Sequence, residues 1–155
     1  TRFRAVTGVQ TCALPILTLV QTIPGVGPRT AEAVVASIDD SRRFARNKAI
    51  GNYFGLIPCQ DQSASKNRLG HITQDGPAAV RALLTEAAWQ GIRRSPHLKQ
   101  YFERVGHGDP TRKKIAVVAT AHYLARVMLA MLRSGQAWRY ETKGCKQQAA
   151  ETKAA

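Results

Sequence analysis

The sequence predicts an all-α fold: a helix-hairpin-helix, a short helix, a long basic loop and a bundle of three helices. Three observations carry that reading. Apolar residues recur at helical spacing, as in Ala31, Val34, Val35 and Ile38, and again in Val80, Leu83, Leu84, Ala87, Ala88, Gly91 and Ile92. Proline and glycine stand where helices should begin and end, at Pro28, Pro77, Pro96, Pro110 and Gly135. No segment alternates polar and apolar residues as a half-buried strand would.

Residues 17–38, LTLVQTIPGVGPRTAEAVVASI, read as helix, tight turn, helix, with Pro24, Gly25, Gly27 and Pro28 as the punctuation. DDSRRF (39–44) is a polar connection, and Arg46 to Phe54 reads as a short helix closed by Gly55. Ile57 to Gly76 has no period and reads as a long loop. Ser95 is the expected N-cap of the next-to-last helix and Asp109 that of the last. From Ile115 to Leu132 the last helix is apolar nearly all round, as a central buried helix is. His122 and Arg126 interrupt it, which argues against a membrane span. Helices are expected near 29–37, 46–54, 78–93, 96–105 and 110–133, with Val35, Leu83, Leu84, Ala87, Ile115, Leu124 and Leu132 buried. The segment 139–155 reads as a disordered polar tail.

The 155 residues suffice for one domain with a core. Lys and Arg number 23 against 10 Asp and Glu, a formal charge of +13. Such an excess points to a polyanion, because neutralised phosphates release counterions. No basic amphipathic helix with an aromatic face supports a membrane partner. Cys12, Cys59 and Cys145 are scattered and odd in number, so neither a disulfide framework nor a zinc site is expected, which fits the reducing cytoplasm. No metal or other cofactor is expected in this chain.

IPGVGPRTAEAVVA has the form of a helix-hairpin-helix, spanning 18–38 with its flanks. Gly25 and Gly27 let the backbone approach a DNA phosphate, with Arg29 beside them. The alternative is a plain αα-hairpin whose glycines serve packing. Arg42, Arg43, Arg46, Lys48, Lys66 and Arg68 form a basic stretch in which Asp61 is the only acid. It reads as a phosphate channel or as a solvated face. Arg112, Lys113 and Lys114 oppose the dipole of the last helix, which fits an external anion or simple exposure. Ser63 and Ser65 stand among the loop cations, but no Ser-His-Asp arrangement is legible around them. The residues by themselves lead to a helical nucleic-acid-binding domain with an unexplained basic loop. A non-enzymatic helix-hairpin-helix module stays open at this point.

The order of motifs resembles the C-terminal domain of one insertion-sequence transposase family. Its members join a RuvC-like domain with DEDD carboxylates to a serine-bearing domain. They are also known as bridge-RNA-guided recombinases, and pilin-gene invertases are relatives. The resemblance runs from about Leu17 to Arg139 through IPGVGPRTA, RRF-x3-K, YFGLIP, S-x-x-K-x-R-L-G-x-I-T-x-x-G, VRALLTEAA and L-x-x-M-L-R-S-G-Q-x-W-R. It implies Ser63 as a nucleophile on DNA, with Ser65 as rival, and Lys66 and Arg68 on the phosphates. It further implies a guide RNA, a homo-oligomer, and a divalent metal (Mg) held by an N-terminal domain that this chain lacks. By that reading the chain is an N-terminally truncated piece, inactive in cleavage alone. Two departures stand out: Pro58-Cys59 where the family usually has Pro-Arg, and Ser63-Ala64-Ser65-Lys66 where it usually has Ser-Gly-Gly-Lys. Residues 6–16, VTGVQTCALPI, resemble a translated sequencing-library adapter. The expected organisation is therefore a non-native leader at 1–16, a transposase domain at 17–138 with its serine-bearing loop at 57–76, and the tail.

Overall fold

The computed structural model describes residues 10–63 and 66–139. The leader up to residue 9, Ser65, and the tail from residue 140 lie outside the described residues. Helix α1 (Gln10–Gln21) runs without a break across the junction expected near Leu17. Its Pro15 lies inside the helix, and Val20 is its fully buried anchor.

The turn after α1 is closed by bonds from the amides of Ile23 and Val26 to the carbonyls of Val20 and Ile23, at 3.2 and 3.1 Å. Helix α2 (Pro28–Ile38) follows, with Pro28 in its first turn and Gly27 as N-cap. It buries Thr30, Ala31, Val34 and Ile38, the stripe expected of a helix seated on a core, while Val35 is half-buried. Asp40 accepts from the Arg42 amide at 2.8 Å and sets a 3-10 turn at Ser41–Arg43. Helix α3 (Ala49–Tyr53) is shorter than the expected 46–54. The guanidinium of Arg133 explains the lost turn. It donates to the carbonyls of Ser41 and Phe44 and to Asn47 Oδ1, holding 41–47 as an irregular segment.

The expected loop at 57–76 is instead mostly an antiparallel hairpin, β1 (Pro58–Ser63) and β2 (Lys66–Ile72). Its register pairs Ser63 with Lys66, Gln62 with Asn67, Asp61 with Arg68 and Gln60 with Leu69. Between Gln60 and Pro58 the register shifts, so Gly70 and His71 together oppose Cys59 in a bulge. The hairpin escaped sequence reading for two physical reasons. Pro58, Cys59, Gln60, Gly70 and His71, the strand residues at the hairpin's foot whose exposure is described apart from the half-buried Ile72, are all exposed, so no alternation marks them. The bulge then breaks what period there is.

Three further helices complete the fold: α4 (Ala78–Arg94), α5 (Pro96–Gly106) and α6 (Lys113–Ser134). Leu84, Leu98, Leu124, Met128 and Leu129 are fully buried where they meet. Helix α6 is central and touches α1, α3, α4 and α5. It is long and apolar enough to cross a bilayer, but half of its apolar stretch is buried in this bundle. Among the described residues the core is thus helical, and no described strand side chain belongs to it.

Four details depart from expectation. Ile115 is 58 % exposed, because the first turn of α6 directs Ala116 and Val117 to the core instead. Leu83 and Leu132 are only half-buried. Ser95 occupies the N-cap of α5 but its side chain makes no capping bond. Asp109 caps not α6 itself but a 3-10 turn, Pro110–Arg112, that leads into it: it accepts from the amide and the hydroxyl of Thr111, at 2.8 and 2.7 Å, while the N-cap of α6 is Arg112, which makes no side-chain capping bond.

Candidate nucleic-acid interface

The residues singled out in the sequence fall into two groups at opposite ends of α4. The first is the turn with Gly25, Gly27 and Arg29. Gly25 has φ +94°, and a side chain there would overlap the backbone of Gly91 and Ala87 on α4. Its missing side chain therefore serves a close helix approach. Gly27 has open space around the position of a Cβ, and Arg29 is exposed. Of the two glycines, Gly27 is the one with room for an outside ligand.

The second group surrounds α3 and the hairpin. Arg42, Arg43, Arg46 and Lys48 are all exposed. Arg43 lies 5.8 Å from the Phe44 ring centroid and 5.5 Å from that of Tyr53, a stacked placement that fixes the segment's direction. Tyr53 packs edge-on against Phe44 at 5.4 Å and donates to the Ser37 carbonyl at 2.9 Å. The residue after it, Phe54, is fully buried. Gly76, at the foot of the hairpin, approaches the Tyr53 carbonyl so closely that a side chain would overlap it. Tyr53 thus joins the basic segment to the foot of the ribbon. Along that ribbon Ser63 and Lys66 share one rung of the ladder, and Arg68 lies two rungs away, opposite Asp61. Arg29 is not part of this group: nine residue steps along α2 take it to Ile38, roughly 14 Å at helical rise.

Behind this surface lie three polar side chains of α6 to which sequence reasoning gave no role at the site; in the sequence His122 and Arg126 only interrupt an apolar helix. His122 and Arg126 lie one turn apart on α6, and each has a buried ring or guanidinium nitrogen without a hydrogen-bond partner, Nε2 and Nε respectively. The His122 ring fills the space that a side chain on Gly51 would need. Burial first, and then the Arg126 charge, hold the His122 imidazole below its ordinary pKa, against a raising bond with the Lys48 backbone. Arg133, the third, anchors the basic segment as described. The signal for them was a row of polar residues, 122, 126 and 133, down an otherwise apolar helix.

Among the described residues no three His, Cys, Asp or Glu side chains are placed to hold a metal ion. The divalent metal that the resemblance implies finds no fit in the described part of this chain.

Residues 17–103 match the family model described as transposase IS116/IS110/IS902 family. The chain is similar to the transposase for insertion sequence element IS1111A of Coxiella burnetii, 34 % identical over 128 residues, covering 77 % of this chain and 34 % of that protein. It is similar to the transposase for insertion sequence element IS1328 of Yersinia enterocolitica, 29 % identical over 74 % of this chain and 35 % of that protein. It is also similar to the pilin gene-inverting protein of Moraxella bovis, 28 % identical over 76 % of this chain and 37 % of that protein. The chain spans about a third of the length of the curated relatives it matches.

Proposed function

Because the chain belongs to the IS116/IS110/IS902 transposase family, we propose that it is the DNA-binding, serine-nucleophile domain of an insertion-sequence transposase, cutting and rejoining DNA through a phosphoserine link. The observation that carries this reading is the ribbon register, which sets Ser63 across from Lys66 and Asp61 across from Arg68. The Ser63 oxygen attacks a phosphodiester phosphorus. A Ser–O–P bond forms, the P–O bond to one strand end breaks, and the proton lost by the serine balances the one gained by the departing hydroxyl. The phosphoserine keeps the phosphodiester bond energy for the reverse step onto a new end. Lys66 and Arg68 offset the charge that builds on the phosphoryl oxygens. Arg42, Arg43, Arg46 and Lys48 hold flanking phosphates without reading bases, and Gly27 with Arg29 grips a second stretch of backbone.

The full-length protein would act in the cytoplasm as a homo-oligomer with a guide RNA. Metal-binding carboxylates would belong to a region of it beyond this chain, and no step above is routed through a metal. The open surroundings of Gly27 also favour a second reading, a non-enzymatic helix-hairpin-helix module that only grips DNA.

A trapped protein–DNA adduct separates the two. In a full-length transposase carrying this domain, the adduct maps by mass spectrometry to Ser63, and Ser63→Ala removes it while DNA affinity stays near wild type. Attachment at Ser65 or Tyr53 would overturn the register assigned here. DNA binding with no adduct under any condition would leave the gripping module as the function.

A further inference from the structure

The geometry points to Arg81 as a positioning residue that clamps the foot of the serine ribbon, an inference that rests on the nucleophile reading above. A two-stranded ribbon on its own is barely stable in water. This one places no described side chain in the helical core. Something must fix its angle to the body if Ser63 is to meet a phosphate at a reproducible distance.

One nitrogen of Arg81, Nη1, lies 3.3 Å from the carbonyl oxygen of Phe54, 3.0 Å from that of Asp75 and 3.1 Å from that of Gly76. Phe54 precedes β1, Asp75 and Gly76 follow β2, and Arg81 belongs to the first turn of α4. A single cation therefore ties both legs of the ribbon to the helix behind it. Bonds from a charged donor are roughly twice as strong as neutral ones. Around the clamp the backbones are nearly touching. Gly55 (φ +63°) and Gly76 (φ +81°) would overlap Asp75 and Tyr53 if either carried a side chain. The amides of Thr73 and Gln74 close the same junction on the carbonyls of Ile57 and Gly55, at 2.9 and 3.3 Å. A cation in a helix's first turn opposes the dipole, so Arg81 is placed for its acceptors rather than for its helix.

Two measurements test this. Hydrogen–deuterium exchange on the 155-residue chain reads the clamp without any catalysis. Arg81→Lys and Arg81→Ala should speed exchange at Thr73, Gln74 and the β1–β2 ladder by roughly tenfold or more, with α6 unchanged. Adduct formation by a full-length transposase carrying the domain reads the consequence. It should fall on the order of a hundredfold in Arg81→Ala, with DNA affinity nearly unchanged. Added guanidinium should restore part of the Arg81→Ala rate, and methylammonium should not. Unchanged ribbon exchange in Arg81→Lys and Arg81→Ala overturns the clamp, as does faster exchange spread over α6. A loosened ribbon with an undiminished adduct rate overturns the positioning role. A Ser63→Ala control that still forms the adduct overturns the nucleophile reading and leaves the exchange result to judge the clamp alone.

Discussion

Helix α6 is held by side chains: Leu124, Met128 and Leu129 lie fully buried among α1, α3, α4 and α5. Among the described residues, the ribbon at 58–72 is held at its foot, through backbone approaches at Gly55 and Gly76 and through the Arg81 guanidinium. The first attachment is spread over many apolar contacts, and losing one weakens all of them a little. The second is concentrated in a few atoms, and losing one frees the ribbon without melting the body. The same contrast divides the two glycine turns. Gly25 is closed in against α4, and Gly27 is open.

The largest expected effect breaks the spread attachment. Gly25→Val should destabilise the fold by about 3 kcal/mol or more, because it combines a positive φ with overpacking against α4. Gly27→Ala should change stability by only about 0.5 kcal/mol. Urea midpoints of the two variants check the pair, and equal losses would sink the assignment of roles. Gly27→Ala then becomes the clean probe of phosphate approach. It should weaken DNA binding with the fold intact, and the fall of affinity with salt should remain steep.

Next in size is Gly76→Ala, expected to cost about 2 kcal/mol at the ribbon's foot through positive φ and overlap with Tyr53. Exchange protection should vanish from β1 and β2 and persist in α6. Loss in both at once would mean that the ribbon and body unfold together.

A smaller effect follows pH. Burial first, and then the neighbouring Arg126 or Arg104 charge, depress the imidazoles of His122 and His97. The unfolded chain therefore binds protons at these sites more readily than the native one. Their contribution is whole above the ordinary histidine pKa of about 6.5 and is lost as pH falls through it towards the native values. Stability measured from pH 8 down to pH 5 should decline, and His122→Gln should flatten part of that decline. A decline untouched in both His122→Gln and His97→Gln would assign it elsewhere.

The smallest effect concerns the ribbon's tip. Two residues, Ala64 and Ser65, connect Ser63 to Lys66. Two-residue hairpin connections favour glycine, because their tight turns require positive φ. Replacing both by glycine should firm the ladder by about 0.5–1 kcal/mol, seen as slower exchange at the β1–β2 amides. Faster exchange would show that the native pair already suits the turn.

The helices were legible wherever one face is buried. The stripes of α2 and α4 stand in the structure apart from Val35, Leu83 and Ile92, which are half-buried, and so do the breaks at Pro28 and Gly135, while Asp109 marks a 3-10 turn ahead of α6. Ile115 failed because an apolar run does not reveal which turn of a helix projects past its neighbours. The ribbon was not legible because its described foot residues are mostly exposed and a bulge breaks its period. At the candidate site the exposed cations could be found by composition. Arg81 and Arg133 could not, because their partners are main-chain carbonyls set by the tertiary fold; for Arg133 they lie some ninety residues away in the chain. The only local trace of Arg81 is a cation in the first turn of a helix, where the dipole disfavours it.

Attachment at the foot makes the ribbon a lever whose length is independent of the core. Its foot is fixed by Gly55, Gly76 and Arg81, and none of these depends on how many rungs lie beyond. Adding two residues to each strand would carry the tip about 7 Å further out without repacking a helix. Removing two would draw it in by as much. Reach towards a substrate can therefore be retuned by short, even-numbered insertions in a surface ribbon, while an odd insertion in one strand would turn every rung beyond it to the other face.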